Sequence, residues 1–256
     1  NMSALHLIRH DAIAELRLDN PAKLNAFTPD MLTALEAHLD AIDADPEIRF
    51  VILTAEGGRA FCAGADIQAW GDLPPAEFAR HWVRDGHRRF DRLARLSKPT
   101  IAALSGHTLG GGLELAAACD IRVMTPNATI AMPEPKIGMV PGWSGTQRVA
   151  RLLPEPVIKE MALFGRSLDA ERAVALGFAA EIAEDARAAA FDIADGALAA
   201  SACATEIAKY MLHAGFGEDT AAMIETLGSG MIAASADKAE GVAAFREKRK
   251  PAFKGR

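Results

Sequence analysis

The chain has 256 residues, of which 50% are hydrophobic and 24% are charged, and its formal charge is −6. That length allows one large domain, or a domain with an appendage, around a sizeable core. The acidic balance disfavours a nucleic-acid surface as the main function, and no stretch approaches the roughly 18 apolar residues that a membrane helix needs.

The N-terminus and the cysteines bear on the cellular compartment. No basic region followed by an apolar run opens the chain, so we predict no secretory signal. Cys62, Cys119 and Cys203 are odd in number and lack metal-ligand spacing, which favours reduced thiols in a cytoplasmic protein without a metal. Cys62 is a weak candidate nucleophile, because no base lies next to it in the sequence.

Apolar patterning predicts alternating strands and helices along most of the chain. Thr28 and Pro29 begin a helix whose apolar residues recur at three- and four-residue spacing: Leu32, Leu35, Leu39 and Ile42. Predicted strands cover residues 5–8, 13–18, 50–53, 100–104 and 120–124. This order favours an α/β fold with largely parallel strands. Ala-rich helical patterns dominate from about residue 154, and we predict an α/β core over residues 1–195 and a helical region over residues 196–256.

Residues 76–96 predict a helix that is rich in cations. Its arginines are Arg80, Arg84, Arg88, Arg89, Arg92 and Arg95. Such a row is compatible with a phosphorylated ligand, but the interspersed acids and apolar residues favour a solvated amphipathic helix with intrahelical ion pairs. We interpret His81 and His87 on this helix as surface residues.

The segment 110–120, GGGLELAAACD, places three glycines at the start of an apolar helix that contains one carboxylate, Glu114. Amides at a helix N-terminus bind developing negative charge, and apolar surroundings raise the pKa of a carboxyl toward the range useful for proton transfer. The spacing fits neither a dinucleotide fingerprint nor a phosphate loop. The alternative is that the glycines only allow close packing of a helix on a strand. We interpret the neighbouring His107 as a packing or hydrogen-bonding residue.

Two further segments suggest catalytic chemistry. Glu134 lies between two prolines, which fix the backbone and suit a group that must be positioned; the alternative is that it caps a helix beginning near Ser144. Residues 59–67 predict a strand that ends in small residues, which let a ligand approach the backbone. If the amides of Ala65 and Gly111 converge, they form an oxyanion hole, in which removing one donor costs about 2.7–4 kcal/mol.

Five ordered segments resemble the crotonase, or enoyl-CoA hydratase/isomerase, family. They are residues 20–26 (NPAKLNA), 61–67 (FCAGADI), 110–115 (GGGLEL), 133–134 with 141–148 (PE and PGWSGTQR), and 245–251 (FREKRKP). Together they span essentially the whole chain. The resemblance implies a crotonase-like spiral of repeated ββα units and a C-terminal helical trimerisation region at residues 196–256. It also implies a homotrimer or homohexamer and an acyl-CoA substrate, with coenzyme A as part of the substrate rather than a separate cofactor.

The resemblance also implies roles for individual residues. The amides of Ala65 and Gly111 would hold the thioester oxygen, Glu114 would activate water, and Glu134 would protonate C2. Lys23 and the segment 63–67 would contact the nucleotide end of coenzyme A, and Gly142 would help to hold the water. The implied substrate-binding residues are Lys23, Ala63, Ala65, Asp66, Ile67, Gly111, Pro133 and Gly142.

The presence of both carboxylates, Glu114 and Glu134, favours an enoyl-CoA hydratase, a lyase that adds water syn across the double bond of a 2-enoyl-CoA or catalyses the reverse dehydration. The alternatives are a double-bond isomerase, which manages with one carboxylate near Glu134, and a non-catalytic member that binds coenzyme A or associates with RNA. Trp143 and Ser144 replace the smaller residues of many relatives. Trp143 would either narrow the acyl pocket or pack into the core or a subunit contact.

Overall fold

Parallel strands alternate with helices in the first two hundred residues of this computed structural model, which describes residues 4–218 and 220–256. The strands in the described part are β1 (Ala4–His10), β2 (Ile13–Asp19), β3 (Phe50–Ala55), β4 (Ala60–Cys62), β5 (Thr100–Leu104), β6 (His107–Leu109), β7 (Ile121–Met124), β8 (Thr129–Ala131), β9 (Leu168–Asp169) and β10 (Glu181–Ile182). The α-helices there are α1 (Pro29–Ala44), α2 (Ile67–Trp70), α3 (Pro75–Glu77), α4 (Asp85–Ala94), α5 (Gly111–Ala117), α6 (Ala150–Leu152), α7 (Glu155–Phe164), α8 (Ala170–Ala175), α9 (Ala186–Ala197), α10 (Ala202–Gly215), α11 (Thr220–Ala233) and α12 (Ala236–Arg246). Single turns of 3-10 helix lie at Pro21–Lys23 and Glu134–Ile137, and π-helical segments lie at Phe78–Arg84 and Gly145–Val149.

The strands form two sheets. The larger has the order β1-β2-β3-β5-β7-β10, in which β1 is antiparallel to β2 and the remaining pairs are parallel. The smaller has the order β4-β6-β8-β9, with β9 antiparallel to β8. The predicted α/β fold with largely parallel strands is confirmed. The two-residue strands β9 and β10 are too short for a periodic sequence pattern to reveal them.

Helix α1 has the predicted start and the predicted apolar face. The Thr28 side chain accepts a hydrogen bond from the amide of Met31, and Pro29 occupies the first turn, as expected for a capped helix. The four apolar residues at helical spacing, Leu32, Leu35, Leu39 and Ile42, are all buried. They anchor α1 in the larger of two hydrophobic clusters.

The predicted helix at residues 76–96 consists of three successive helical segments: α3, the π-helical segment Phe78–Arg84, and α4. The expected intrahelical ion pair occurs between Arg95 and Asp91, at 3.1 Å. Other arginines of this region bind a different helix: Arg89 Nε lies 3.2 Å from a Glu36 oxygen, and Arg92 Nη1 lies 2.7 Å from Asp43 Oδ2. These cations therefore join α4 to α1 as well as facing solvent.

Helix α9 covers the opposite face of the larger sheet. Its alanines pack on apolar side chains of the strands in a second hydrophobic cluster, which includes Ile52, Ile101 and Val123. A buried carboxylate also joins α9 to the sheet: Glu15 of β2 accepts two hydrogen bonds of 2.8 Å from Arg187. Arg17 donates to the same carboxylate at 3.1–3.2 Å. These charge-assisted bonds hold the pKa of Glu15 well below its usual range although burial opposes them.

Residues 201–256 form a compact unit of their own. It contains α10, α11 and α12. Ser201 caps α10, because its side-chain oxygen accepts a hydrogen bond from the amide of Ala204. The predicted domain boundary after residue 195 lies inside α9, whereas the division between the units follows Ala200. The trimerisation role of the C-terminal region stays a prediction. Across residues 4–218 and 220–256, no helix is both long enough and apolar enough to cross a bilayer.

Candidate active site

A largely apolar cavity of about 470 Å³ lies between the start of α5, the loop after β4, the segment 133–143 and the helical segment at residues 78–83. It brings together most of the predicted site residues: Ala63, Ala65, Ile67, Gly111, Glu114, Pro133, Glu134 and Gly142. Lys23 and Asp66 are not among its lining residues. They form an ion pair of 2.7 Å beside it, in which Lys23 also donates to Gln68.

The glycines at the start of α5 serve close packing and also open the cavity. A Cβ on Gly112 would lie 2.1 Å from the carbonyl oxygen of Cys62, so α5 sits directly on β4. A Cβ on Gly64 would lie 3.3 Å from the amide nitrogen of Gly111. Both interpretations of the glycine segment, packing and access to backbone amides, therefore apply to the same few residues.

The two predicted oxyanion donors border this cavity. Gly111 is the first residue of α5, where an amide has no partner within the helix. Ala65 forms a parallel bridge with Phe27, which uses the carbonyl of Gly64 and the amide of Asp66. The amide of Ala65 itself is not used in that bridge.

Glu114 is buried, at 3% exposure, in the wall of the cavity. Its Oε1 accepts hydrogen bonds from the backbone amides of Trp143, at 2.9 Å, and Gly145, at 2.7 Å. Burial raises the pKa of Glu114 to about 7, and the nearby charge of Glu134 acts in the same direction, whereas the two amides and Arg148 oppose the rise. A carboxyl with this pKa exchanges its proton near neutral pH.

Glu134 borders the same cavity and is held differently. It begins the 3-10 turn Glu134–Ile137, and its Oε1 would lie 3.0 Å from a Cβ placed on Gly110. Its Oε2 is buried and has no hydrogen-bond partner among the described residues. Burial raises the pKa of Glu134. The alternative that Glu134 caps the helix near Ser144 is wrong, since the Ser144 turn directs its amides to Glu114.

Trp143 packs in the core and also forms one wall of the cavity. It is 3% exposed, and its ring lies 5.0 Å from that of Phe90 and 5.4 Å from that of Trp82. Its Nε1 donates to the carbonyl of Trp82 at 3.1 Å. A Cβ on Gly86 would lie only 2.1 Å from that nitrogen, so the indole occupies space that only a glycine leaves open.

His87, which was predicted to be a surface residue, is only partly exposed and has a contact that the prediction did not include. Its ring is half-buried, and its Nδ1 lies 2.7 Å from the hydroxyl oxygen of Ser144. The sequence gives no local signal for this contact, because the two residues are 57 positions apart. His81 is exposed, as predicted.

Two other candidate residues lie outside this chemistry. Cys62 is fully buried, and burial raises the pKa of its thiol to about 12, so it is not a thiolate near neutral pH. His107 forms the expected hydrogen bond, with its Nδ1 2.8 Å from Thr129 Oγ1. Within the described ranges, no three or more His, Cys, Asp or Glu side chains are grouped as metal ligands would be.

Two carboxyls, one buried and one partly buried, lie beside a glycine-opened helix, and known proteins share this family of sequence. A model of the enoyl-CoA hydratase/isomerase family matches residues 9–256. The chain belongs to this family, the crotonases. The resemblance and the crotonase-like fold predicted from the sequence are therefore confirmed.

Individual crotonases align with this chain over nearly all of its length. Short-chain-enoyl-CoA hydratase of Clostridium acetobutylicum is 32% identical over 98% of this chain and 97% of its own. Carnitinyl-CoA dehydratase of Salmonella typhi is 36% identical over 99% of both chains. The crystal structure of an enoyl-CoA hydratase from Bacillus anthracis superimposes with a TM-score of 0.81 at 29% identity, over 98% of this chain and 99% of that one. Crotonases act on acyl-CoA substrates, and these relatives indicate an enzyme of the hydratase and lyase type.

Proposed function

We propose that the protein is an enoyl-CoA hydratase, a hydro-lyase that adds water syn across the double bond of a 2-enoyl-CoA or removes it from a 3-hydroxyacyl-CoA. The observation that carries the proposal is the contrast between the two carboxyls of one cavity. Glu114 Oε1 accepts two backbone hydrogen bonds, whereas Glu134 Oε2 has no partner among the described residues. Hydration needs a base for water and an acid for C2, and a pair of carboxyls in different environments can supply both.

The hydrogen bonds support one assignment of the two roles. Two amides stabilise a negative charge on Glu114, and no comparable donor does so for Glu134 Oε2. We assign the single negative charge of the pair to Glu114 because of these donors, although its deeper burial opposes ionisation. Glu114 then takes a proton from water while Glu134 delivers a proton to C2. Because the carboxyls share one cavity, their titrations are coupled, and the pH dependence belongs to the pair.

The enolate-like state needs stabilisation at the thioester oxygen. The amides of Gly111, at the start of α5, and Ala65, on the facing loop, are the donors we assign to that oxygen. Preorganised donors of this kind lower the barrier because they stabilise charge that develops only in the transition state. Gly142, which lines the same cavity, is assigned to the water.

The remaining predicted residues concern coenzyme A and assembly. Lys23, paired with Asp66 at the edge of the cavity, is assigned to the nucleotide end of coenzyme A, which is part of the substrate and not a separate cofactor. Helices α10 and α12 expose large apolar side chains, including Met211, Leu212 and Phe245, and Phe216 directly after α10 is exposed too. A surface of this kind favours association between copies of the chain, and we propose a homotrimer or homohexamer.

The test is the loss of the ultraviolet absorbance of the conjugated thioester after crotonyl-CoA is added. Glu114→Gln and Glu134→Gln should each lower kcat by about 10²–10⁴-fold, the usual contribution of a general acid or base. Glu114→Gln should retain some exchange of the C2 proton, because Glu134 remains. The exposed Glu171 provides the matched control, and Glu171→Gln should hydrate at the parent rate.

Two results would argue against hydration. If crotonyl-CoA and branched or polar enoyl-CoAs all keep their absorbance, the protein is not a hydratase of these substrates. If the double bond of a 3-enoyl-CoA moves while no water is added, the isomerase alternative is correct. Parent activity in Glu114→Gln would show that the assignment of the base is wrong.

A further inference from the structure

The turn at residues 143–145 has a backbone shape that its sequence does not favour. Ser144 has φ 87°, in the left-handed region. A residue with a Cβ pays about 1–2 kcal/mol in that region, whereas glycine adopts it freely. A contact that stabilises the turn is therefore needed to keep serine in this conformation.

His87 provides that contact. Its Nδ1 lies 2.7 Å from Ser144 Oγ, and Ser144 is only 5% exposed. The preceding residue of α4, Gly86, leaves room for the indole of Trp143. Two successive residues of α4 thus contact two successive residues of the turn. Gly86 leaves room for Trp143, and His87 forms a hydrogen bond with Ser144.

The same turn holds Glu114. The amides on either side of Ser144, those of Trp143 and Gly145, both donate to Glu114 Oε1. A change in the backbone at Ser144 moves both donors at once. The hydroxyl–imidazole bond therefore acts on the carboxylate through two peptide groups, although neither side chain is recorded in contact with it.

We propose that His87 and Ser144 are positioning residues that hold the turn whose two amides orient Glu114 and stabilise its ionised form. This inference rests on the proposed function where it assigns Glu114 as the base. The placement of the turn and the titration of Glu114 can be tested without turnover.

The other charged groups around Glu114 should stay in place when the hydrogen bond between His87 and Ser144 is removed. Glu134 and Lys136 line the same cavity, and Arg148 on the following helical segment is paired with Asp91 at 3.0 Å. Loss of the two hydrogen bonds from these backbone amides removes an interaction that favours the carboxylate. The pKa of Glu114 should then rise above its present value, and the base should become protonated at a higher pH.

Activity measurements against pH provide the first test. In Ser144→Ala and His87→Ala, the acid limb of the kcat profile should move to higher pH by about one unit, and kcat near pH 7 should fall about tenfold, as for the loss of hydrogen bonds to a charged group. KM should change little, because no residue that contacts substrate is replaced. His81→Ala, in the helical segment just before α4, is the matched control and should leave the profile in place.

Glycine at position 144 separates positioning from general structural support. Ser144→Gly should lose less activity than Ser144→Ala, since glycine adopts the turn without strain. In the Ser144→Gly background, His87→Ala should produce no further movement of the acid limb. If His87→Ala lowers Tm and leaves the acid limb where it was, or if its effect is the same in both backgrounds, the proposal is wrong.

Infrared difference spectroscopy provides a readout that needs no substrate. The band of the protonated Glu114 carboxyl is assigned by its absence in Glu114→Gln and then followed against pH. It should persist to higher pH in Ser144→Ala and His87→Ala than in the parent, and an unchanged titration would overturn the inference. If the parent hydrates no enoyl-CoA, the proposed function fails, but this titration still decides whether the pair acts on Glu114.

Discussion

The buried carboxyl of Glu114 should make the folded protein less stable as pH rises, and Glu114→Gln should remove this dependence. The pKa of Glu114 is about 7 in the folded protein, against 4.5 for a solvated glutamate. Between these values the folded protein retains a proton that the unfolded chain has released. Stability therefore falls as pH increases through this window and becomes level above it. The full effect is about 3 kcal/mol, at about 1.4 kcal/mol for each tenfold change in proton affinity.

Glutamine preserves the geometry that matters for this comparison. Its side-chain oxygen can accept hydrogen bonds from the amides of Trp143 and Gly145, as Glu114 Oε1 does. The volume of the side chain is nearly the same. The variant, which has no charge to desolvate, should be more stable than the parent by about 3 kcal/mol at about pH 8 and by little at about pH 4.5. The protein would thus become more stable toward unfolding when its catalytic base is replaced.

Urea unfolding at both pH values measures the difference. The protomer concentration must be held constant, because association would otherwise contribute to the apparent stability. Glu171→Gln, at an exposed position, should match the parent at both pH values. A Glu114→Gln effect that is independent of pH, or that is larger at the lower pH, would refute a raised pKa of Glu114 in the folded protein.

Two further substitutions test packing and charge elsewhere. Gly86→Ala should destabilise the protein by at least about 1–3 kcal/mol despite the better helix propensity of alanine, because the new Cβ would lie 2.1 Å from Trp143 Nε1. Gly196→Ala, where nothing lies within 4 Å, should instead raise thermal stability, and equal Tm values for the two variants would contradict this packing. Glu15→Gln should destabilise by about 3–5 kcal/mol at neutral pH, since it breaks a buried ion-pair network with Arg187. That loss should diminish only below the ordinary glutamate pKa of 4.5, and urea unfolding that shows no loss at neutral pH would contradict it.

The parts of the fold that were predictable depend on local patterns. The cap at Thr28 and the apolar face of α1 are encoded within one segment, and the strand at residues 50–53 is a continuous apolar run that becomes the fully buried start of β3. The predictions there needed no knowledge of neighbours. Strands β9 and β10 have two residues each, and their pairing is set by the strands beside them rather than by any pattern of their own.

The candidate site was predictable in its residues and not in its hydrogen bonds. Glu114 and Glu134 stand out in the sequence because each is a carboxylate in an apolar segment, and both line one cavity. The donors to Glu114 lie 29 and 31 positions away. A backbone amide carries no signature of its own in a sequence, so which carboxyl receives those donors is decided by the tertiary fold.

The contacts of Trp143 and Ser144 join the turn to residues that are distant in the sequence. The sequence marks both residues as unusual, but Gly86 and His87 lie 57 positions earlier, in a helix dominated by charged residues. Both contacts join the same turn to the same helix, so each of the two residues at 143 and 144 depends on a residue of α4. A small residue at position 143 beside an unchanged Gly86 would leave a void next to the amides that bind Glu114, and so a substitution in the core would alter the base.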